Sequence, residues 1–321
     1  MPSKKIIILL IIGAISLVII GYFTGTTTNK LKTNQIKLEK HQPGYDFISP
    51  LLECGYSTTE TFGNKLLQKK IETIIETNKE RKNITLVSVY VHDLIRGSWL
   101  GINEKETFSP SSLLKVPLMM TYLKQAETDP SIMQRKTKID GDIEKILNQS
   151  FTPLKSVETN KEYTTEELIN YMISYSDNKA ANALLQGIDP EVLNKIYTDM
   201  NIAIPSIDRP ENYMPVTDYA SFFEVLYNAS YLNREMSEKA LKILASPGFQ
   251  KGLTAGLPIN IKVSHKFGER KIDNLNQLHD CGIIYKTNHP YLLCIMTRGD
   301  DFIKMAETIK EISREVYNNI E

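Results

Sequence analysis

A serine and a lysine in the middle of the chain have a spacing that suits nucleophilic chemistry. Ser112 and Lys115 lie three positions apart in the sequence FSPSSLLK, which spans residues 108–115. On a helix this spacing puts both side chains on one face, and a helix that begins at Ser112 holds its hydroxyl at the positive end of the helix dipole. A lysine placed in this way can accept the serine proton if burial or neighbouring groups lower its pKa. By itself the pair is a weak signal, because serines and solvated lysines are common at the starts of surface helices.

Two further motifs follow along the chain, and each has an ordinary structural interpretation of its own. Ser176-Asp177-Asn178 lies between two predicted helices, where such residues often cap a helix. His265-Lys266-Phe267-Gly268 ends a predicted strand, where it would mean only a basic strand end before a turn. The order Ser-x-x-Lys, Ser-Asp-Asn and Lys-x-Gly is far more specific than any one motif. It matches the signatures of serine penicillin-recognising enzymes, apart from the middle residue of the third.

On these motifs, residues 59–321 resemble the class A β-lactamase family, and in particular its serine-hydrolase relatives. The resemblance implies that Ser112 is the nucleophile that becomes acylated, that Lys115 is the base for its proton, and that Ser176 relays a proton to the leaving nitrogen. It implies β-lactam amides or peptidoglycan-type peptides as substrates, and no metal or other cofactor. The stretch His279–Ile283, which leads into a further strand, is also similar to these proteins.

The same resemblance assigns substrate binding to four further positions. Asn178 would hydrogen-bond the amide of the substrate, and Lys266 would supply positive charge for its carboxylate. The backbone N–H groups of Ser112 and Glu269 would form the oxyanion hole. Gly268, which has no side chain, would let the substrate lie close to the strand.

Two features depart from the family pattern. The middle residue of the third motif is usually a hydroxyl residue that helps to bind the carboxylate, whereas here it is Phe267, whose ring cannot donate a hydrogen bond. We therefore expect Phe267→Thr to improve acylation by a carboxylate-bearing β-lactam. The loop that carries the deacylating glutamate is short, with Asp208-Arg209-Pro210-Glu211 as its remnant. We interpret Glu211 as a solvated loop carboxylate and expect slow deacylation.

Three functions fit these motifs. The first is a class A β-lactamase-like serine hydrolase that works through an acyl-enzyme. The second is a D,D-peptidase-type penicillin-binding protein that releases β-lactams slowly. The third is a catalytically inactive, tethered binding module of the same fold. Phe267 and the short loop favour the third function, whereas the intact serine, lysine and asparagine of the first two motifs oppose it.

The elements that must position these residues follow from hydrophobic periodicity. The pattern predicts amphipathic helices over 59–79 and 302–320, further helices in the middle of the chain, and strands over 84–91, 98–102, 259–263, 282–285 and 291–296. Strands from both ends of the body can then join one antiparallel sheet. We predict an α/β (α+β) fold, in which a five-stranded antiparallel sheet is flanked by helices and carries an inserted all-helical lobe. The sheet lobe comprises 59–107 and 259–321, and the helical lobe 108–258.

The N-terminus carries the one membrane signal. Lys4 and Lys5 precede an apolar run over residues 6–23, which is about as long as a helix that crosses a bilayer, and no small-x-small cleavage site follows it. We predict an uncleaved, single-pass N-terminal transmembrane helix within residues 1–23, a polar tether over 24–58, and a body outside the cytoplasm. A cleaved signal peptide is the alternative, and lysines beyond the run oppose the predicted orientation.

Charge and cysteine content bear on other classes of protein. The 38 basic residues balance the 38 acidic ones, so no net positive charge favours nucleic acid as a partner. Three cysteines without a CxxC spacing argue against a zinc site and a disulfide framework. Cys281 and Cys294 lie on two strands that can pair as a hairpin, which leaves a bridge open, but we interpret them as two buried thiols.

Overall fold

The computed structural model describes residues 40–53, 65–139, 149–205, 213–246, 248–272 and 275–320. Every described residue belongs to one compact unit, Leu38–Glu321. The predicted membrane anchor, most of the predicted tether and the loop that contains Glu211 lie outside the described residues. No helix in the described part of the chain is long and apolar enough to cross a membrane.

Within these ranges the chain forms α-helices and β-strands, which are numbered here in chain order. The helices are α1 (Lys65–Glu80), α2 (Lys115–Ala126), α3 (Thr165–Ser174), α4 (Asn178–Gln186), α5 (Pro190–Asp199), α6 (Val216–Tyr227), α7 (Arg234–Leu244) and α8 (Phe302–Asn319). The strands are β1 (Lys40–His41), β2 (Leu51–Glu53), β3 (Leu86–Asp93), β4 (Trp99–Ile102), β5 (Thr107–Phe108), β6 (Lys136–Lys138), β7 (Glu162–Thr164), β8 (Met214–Pro215), β9 (Val263–Ile272), β10 (Leu275–Ile284) and β11 (Tyr291–Gly299).

Five of the strands form one sheet in the order β4-β3-β11-β10-β9, and every neighbouring pair is antiparallel. Alternate residues of the middle strand, β11, pack into two different cores. Leu292 and Met296 join the core of the helical lobe, whereas Leu293 and Ile295 join the core beneath α1 and α8. Because both faces are covered, β11 is apolar almost throughout. The prediction of a five-stranded antiparallel sheet flanked by helices is confirmed.

The helix that follows β7, α3, begins at a pair of reciprocal side-chain hydrogen bonds. The side chain of Thr164 accepts a hydrogen bond from the N–H of Glu167, and the Glu167 carboxylate accepts one from the N–H of Thr164. This capping box satisfies two of the N–H groups at the start of α3 that have no partner within the helix. It fixes the helix that leads directly into the loop with the Ser-Asp-Asn motif.

The strand predicted over 259–263 does not form as such. Ile259 is fully exposed, and β9 begins only at Val263, which pairs with Ile284 at the end of β10. The alternation of apolar and polar residues before Val263 belongs to a surface loop. The Lys-x-Gly motif therefore lies near the start of β9 rather than at a strand end. Phe249 and Leu253 belong to the core beneath α8, so the helical lobe ends before the predicted boundary at residue 258.

Part of the segment predicted as a tether is docked on the body. Ile48 is buried in the core of the helical lobe. The Glu238 carboxylate on α7 accepts hydrogen bonds from the backbone N–H groups of Asp46, Phe47 and Ile48, at 3.0 to 3.2 Å. Residues 40–53 thus belong to the folded body, and the boundary predicted near residue 58 lies before residue 40.

The interpretation of Cys281 and Cys294 as two buried thiols is wrong, because the structure joins them in a disulfide. The two residues are direct partners in the register of β10 and β11, with Cα atoms 4.0 Å apart. Directly opposed residues of antiparallel strands point to the same face of the sheet, which brings both sulfur atoms together in the core.

Candidate active site

Ser112 lies on a tight turn that leads into α2. Residues Ser111–Leu114 form a 3-10 helix that runs on into α2 without a break, so the helical segment begins one residue before Ser112 and the α-helix itself begins at Lys115. Ser111 has a φ of +50°, a left-handed conformation that is unfavourable for a residue other than glycine. The Ser111 hydroxyl donates a hydrogen bond to the backbone oxygen of Glu269 on β9, which holds this conformation in place.

Lys115 is buried at the first position of α2 and meets the Ser-Asp-Asn loop. Its Nζ lies 2.6 Å from the backbone oxygen of Ser176, 3.2 Å from Ser176 Oγ and 2.8 Å from Asn178 Oδ1. Burial lowers the pKa of Lys115 to about 7, although the negative charges of Asp177 and Glu269 act in the opposite direction. The amine is therefore partly neutral at neutral pH, which is the form that can accept a proton.

The three side chains of the Ser-Asp-Asn loop have two different roles. The Asp177 carboxylate caps α4 by accepting the N–H groups of Lys179 and Ala180, and it also accepts the N–H of Val157 at 2.7 Å. With the loop fixed in this way, Ser176, at a φ of +56°, and Asn178 face Lys115. The cap interpretation thus holds for the aspartate, while its two neighbours join the site.

Lys266 lies behind Ser176. Its Nζ donates hydrogen bonds to Ser176 Oγ and to the backbone oxygen of Phe267, both at 2.9 Å. Burial lowers the pKa of Lys266 well below its usual value, and the nearby charge of Lys115 acts in the same direction. The two amines therefore flank one hydroxyl, in contact with Ser176 from both sides.

The Phe267 ring packs against other aromatic rings, and Lys266 Nζ lies 4.3 Å from its centre. It stacks on the ring of Phe249, with centroids 4.1 Å apart, and meets the edge of Phe151 at 6.2 Å. Phe267 thus belongs to an aromatic cluster in the core beneath α8. At this position the apolar side chain is explained by packing, which the sequence pattern does not reveal.

Gly268 and Glu269 hold β9 against the turn that carries Ser112. A Cβ atom on Gly268 would lie 2.9 Å from the backbone oxygen of Pro110 and 3.1 Å from the backbone nitrogen of Leu113. The missing side chain makes room for this turn, whereas we expected it to make room for the substrate. The Glu269 carboxylate accepts the N–H groups of Ser150 and Phe151, each at 3.1 Å. The oxyanion hole at the N–H groups of Ser112 and Glu269 stays a prediction.

A cavity of about 680 Å³ opens beside Ser112. Ser112, Lys115 and Asn178 line it, whereas the described lining does not include Ser176, Lys266, Gly268 or Glu269. Beyond Lys115 the wall is largely apolar, with side chains from the end of the 3-10 helix and from α2, α4 and α5: Leu114, Leu118, Ala181, Leu185, Leu193 and Tyr197. This apolar wall could not be predicted from the sequence, because its residues are spread over the 3-10 helix and three α-helices and form no motif.

A carboxylate or a bound metal ion would allow further chemistry at the site. Among the described residues that line the cavity, Asp177 is the one carboxylate, and its oxygens accept the three N–H groups named above. In the described ranges, no group of three or more His, Cys, Asp or Glu side chains is arranged to hold a metal ion. Glu211, the predicted loop carboxylate, lies outside those ranges.

Comparisons with known proteins agree with this architecture. The model of the beta-lactamase enzyme family matches residues 66–320. The chain is 23% identical over 295 residues to beta-lactamase VEB-1 of Pseudomonas aeruginosa, across 85% of this chain and 93% of that protein. The solved structure of PBP-A superimposes with a TM-score of 0.65 at 21% identity, across 79% of this chain and 96% of that one.

Two other solved structures are similar to the same extent. A variant of PBP-A, solved as an acyl-enzyme complex with penicillin G, has a TM-score of 0.65 at 22% identity and covers 78% of this chain and 96% of its own. The class A beta-lactamase of the last common ancestor of Gram-negative bacteria has a TM-score of 0.66 at 22% identity, with coverages of 77% and 98%. At these identities the structural likeness shows the fold.

Proposed function

The chain belongs to the beta-lactamase enzyme family, and from this premise we propose that it is a serine hydrolase that forms an acyl-enzyme at Ser112. One observation carries the proposal. Lys115 Nζ lies within hydrogen-bond distance of Ser176 Oγ and Asn178 Oδ1, one helical turn from Ser112, and burial lowers its pKa to about 7. A group whose pKa lies near the working pH is well suited to general-base catalysis.

The contacts suggest a path for the proton. When Lys115 is neutral, its two N–H bonds serve the shorter contacts to Ser176 O and Asn178 Oδ1, and its lone pair is left to accept a proton. Ser112 Oγ attacks the amide carbon and its proton passes to Lys115. Ser176 gives its hydroxyl proton to the leaving nitrogen and takes one from Lys115, so the C–N bond breaks and an ester on Ser112 remains. Lys266 stabilises Ser176 Oγ during this transfer.

The substrate class follows from the cavity and the relatives. We propose β-lactam amides or related cell-wall peptides, which the acyl-enzyme of the PBP-A variant with penicillin G supports by analogy. The apolar wall formed by α2, α4 and α5 suits an apolar substituent on the acyl side of the bond. Asn178 Oδ1 already accepts from Lys115, which leaves its NH₂ group to donate to a substrate carbonyl.

Release of the acyl group distinguishes the leading function from a D,D-peptidase-type penicillin-binding protein. Water attacks the ester quickly only where a base activates it, and the one carboxylate in the described lining, Asp177, is engaged in capping α4. We expect the acyl-enzyme of the parent to be long-lived, and we expect its rate of deacylation to be nearly the same in Glu211→Gln. Rapid β-lactam turnover that is lost in Glu211→Gln would contradict slow deacylation and favour an ordinary β-lactamase.

The decisive experiment is covalent labelling with a fluorescent penicillin, followed by mapping of the labelled peptide by mass spectrometry. We expect the label on Ser112, its complete loss in Ser112→Ala, and normal labelling of Ser230→Ala, which removes an exposed serine on the surface. Equal labelling of Ser112→Ala and the parent would contradict the assignment of the nucleophile. Reversible binding without labelling in the parent would favour an inactive binding module.

We also propose that residues 6–23 anchor the body outside the cytoplasm, on the strength of the apolar run and the two lysines before it. Protease added to cells whose outer envelope has been opened is then expected to remove the body and leave a short N-terminal fragment in the membrane. A protected full-length chain would contradict this orientation.

A further inference from the structure

The sheet binds the backbone of the segment that precedes Ser112, residues 107–111, which we call the nucleophile segment. From these contacts we propose that Gln277 and His279 are positioning residues, which fix the place of the Ser112 hydroxyl from the far side of the segment. The proposal rests on the proposed function, because it takes Ser112 as the residue that is acylated.

Both polar backbone groups of Ser109 are bound by side chains of β10. Gln277 Oε1 accepts the N–H of Ser109 at 3.0 Å, and His279 Nε2 donates to the backbone oxygen of Ser109 at 3.0 Å. Gln277 and His279 are two residues apart on one strand, so they project from the same face of the sheet. Both are fully buried, which means that no water can replace either bond without rearrangement.

The contacts of His279 define its protonation state. The oxygen of Ser109 can only accept, so Nε2 carries a hydrogen, and Nδ1 accepts the N–H of Thr297 on β11 at 3.3 Å. Burial lowers the pKa of His279 to about 4. The ring therefore stays neutral, with this hydrogen-bond pattern intact, across the pH range in which Lys115 gains or loses its proton.

Neighbouring contacts hold the segment on either side of Ser109. The Arg298 guanidinium on β11 donates to the backbone oxygen of Thr107 and lies 4.6 Å from the centre of the Phe108 ring. Ser111 donates to the backbone of Glu269 on β9. Three adjacent strands thus each bind the nucleophile segment, and the strained residue Ser111 lies between Ser109 and Ser112. Release of Ser109 would let this turn relax and would change the position of the Ser112 hydroxyl in the cavity that it shares with Lys115.

Two variants of His279 separate the hydrogen bond from packing. His279→Phe keeps a buried ring against Phe108, which the imidazole now meets edge-on at 5.4 Å, but loses the donor. His279→Gln replaces the ring with an amide that can still donate to the oxygen of Ser109. We expect the rate of penicillin labelling to fall on the order of 10- to 100-fold in His279→Phe and to stay within about threefold of the parent in His279→Gln. Gln277→Met, which leaves the N–H of Ser109 without this acceptor, is expected to resemble His279→Phe.

A matched control removes a buried hydroxyl far along the chain. Thr308→Val on α8 deletes the hydrogen bonds to Asn78 Oδ1 and Lys304 O, and should lower stability without changing the labelling rate. Similar loss of labelling in Thr308→Val and His279→Phe, or equal loss in the Phe and Gln variants of His279, would overturn the proposal, because general destabilisation or lost packing would then explain the effect.

Amide hydrogen exchange tests the positioning role independently of labelling. If penicillin does not label the parent, that result contradicts the proposed function but not the positioning role. The peptide that covers residues 107–115 is expected to exchange faster in His279→Phe and Gln277→Met than in the parent, and to remain protected in His279→Gln. Equal protection of this peptide in all of these proteins would overturn the proposal whether or not Ser112 is acylated.

Discussion

At Lys115, burial and the charges of nearby carboxylates have opposite effects on the pKa of the amine. Removal from water lowers its pKa to about 7, while Asp177 and Glu269 favour the charged form. Its partners, Ser176 O and Asn178 Oδ1, accept hydrogen bonds from either form of the amine. A lysine in this environment can change its protonation state without losing its position, and this is the property that a general base for Ser112 needs.

We therefore expect the acylation rate of Ser112 to rise as the pH increases through about 7 and then to level off, because the deprotonated amine is the active form. Lys115→Met should label about 10²- to 10⁴-fold more slowly, the usual contribution of general-base catalysis. Labelling rates from pH 5.5 to 9 at constant ionic strength measure both effects, with Lys195→Met, on the surface of α5, as the control. A flat profile in the parent would contradict this role for Lys115.

The structure reverses our expectation for Phe267→Thr. The ring of Phe267 is 7% exposed and stacks on Phe249 in the core beneath α8. We now expect the threonine variant to lose about 3 kcal/mol of stability through the cavity that it leaves, with no gain in acylation. Chemical denaturation and penicillin labelling measure the two quantities, and Phe267→Leu should show a smaller loss of stability. A tenfold gain in the labelling rate at unchanged stability would contradict the packing of the Phe267 ring in this core.

At the scale of the elements, β10 carries a histidine that makes stability depend on pH. The pKa of His279 is about 4 in the folded protein and about 6.5 in an unfolded chain. Between these values the unfolded chain binds more protons, so the stability contributed by the neutral ring is fully present above pH 6.5 and is lost as the pH falls towards 4. The expected loss is a few kcal/mol, on the order of 1.4 kcal/mol per unit of pKa shift.

Urea denaturation of the parent and His279→Gln at pH 7.5, 6, 5 and 4 isolates this contribution, because carboxylates that also lose stability in acid are common to both proteins. The difference in stability between the parent and the variant is expected to shrink as the pH falls. A difference that stays constant over this range would contradict the neutral, buried state of His279.

How far the sequence predicts these elements depends on whether their signals are local. The order of the motifs correctly brings Ser112, Lys115, Ser176 and Lys266 into one group, and the spacing of apolar residues predicts the terminal helices and the paired strands. The start of β9 was predicted too early because the alternation before Val263 imitates a strand, whereas β10 ends at Ile284, the register partner of Val263. Gln277 and His279 could not be predicted as partners of Ser109, since they lie 168 and 170 residues along the chain from it.

For the molecule as a whole, the disulfide between Cys281 and Cys294 joins the middle strand of the sheet to β10. Cross-linking a separation of 13 residues restricts the unfolded chain and stabilises the folded one by about 3 kcal/mol. We expect peptides that contain either cysteine to react with alkylating reagent under denaturing conditions only after reduction. The double variant Cys281→Ala/Cys294→Ala should unfold at a lower temperature than the parent. Full alkylation without reductant would restore our interpretation of two free thiols.

The order of the strands also determines when the nucleophile segment can be bound by the sheet during synthesis of the chain. The middle strand, β11, is synthesised after every other described strand, so β3 can pair with β4 early but gains its second neighbour only after β9 and β10 have been made. The nucleophile segment emerges early, but its anchors on β9, β10 and β11 come more than 150 residues later. A chain that stops before β9 therefore carries Ser112 without the strands that hold the nucleophile segment. If Ser112 is acylated as proposed, its active site can form only after β9, β10 and β11 have been synthesised.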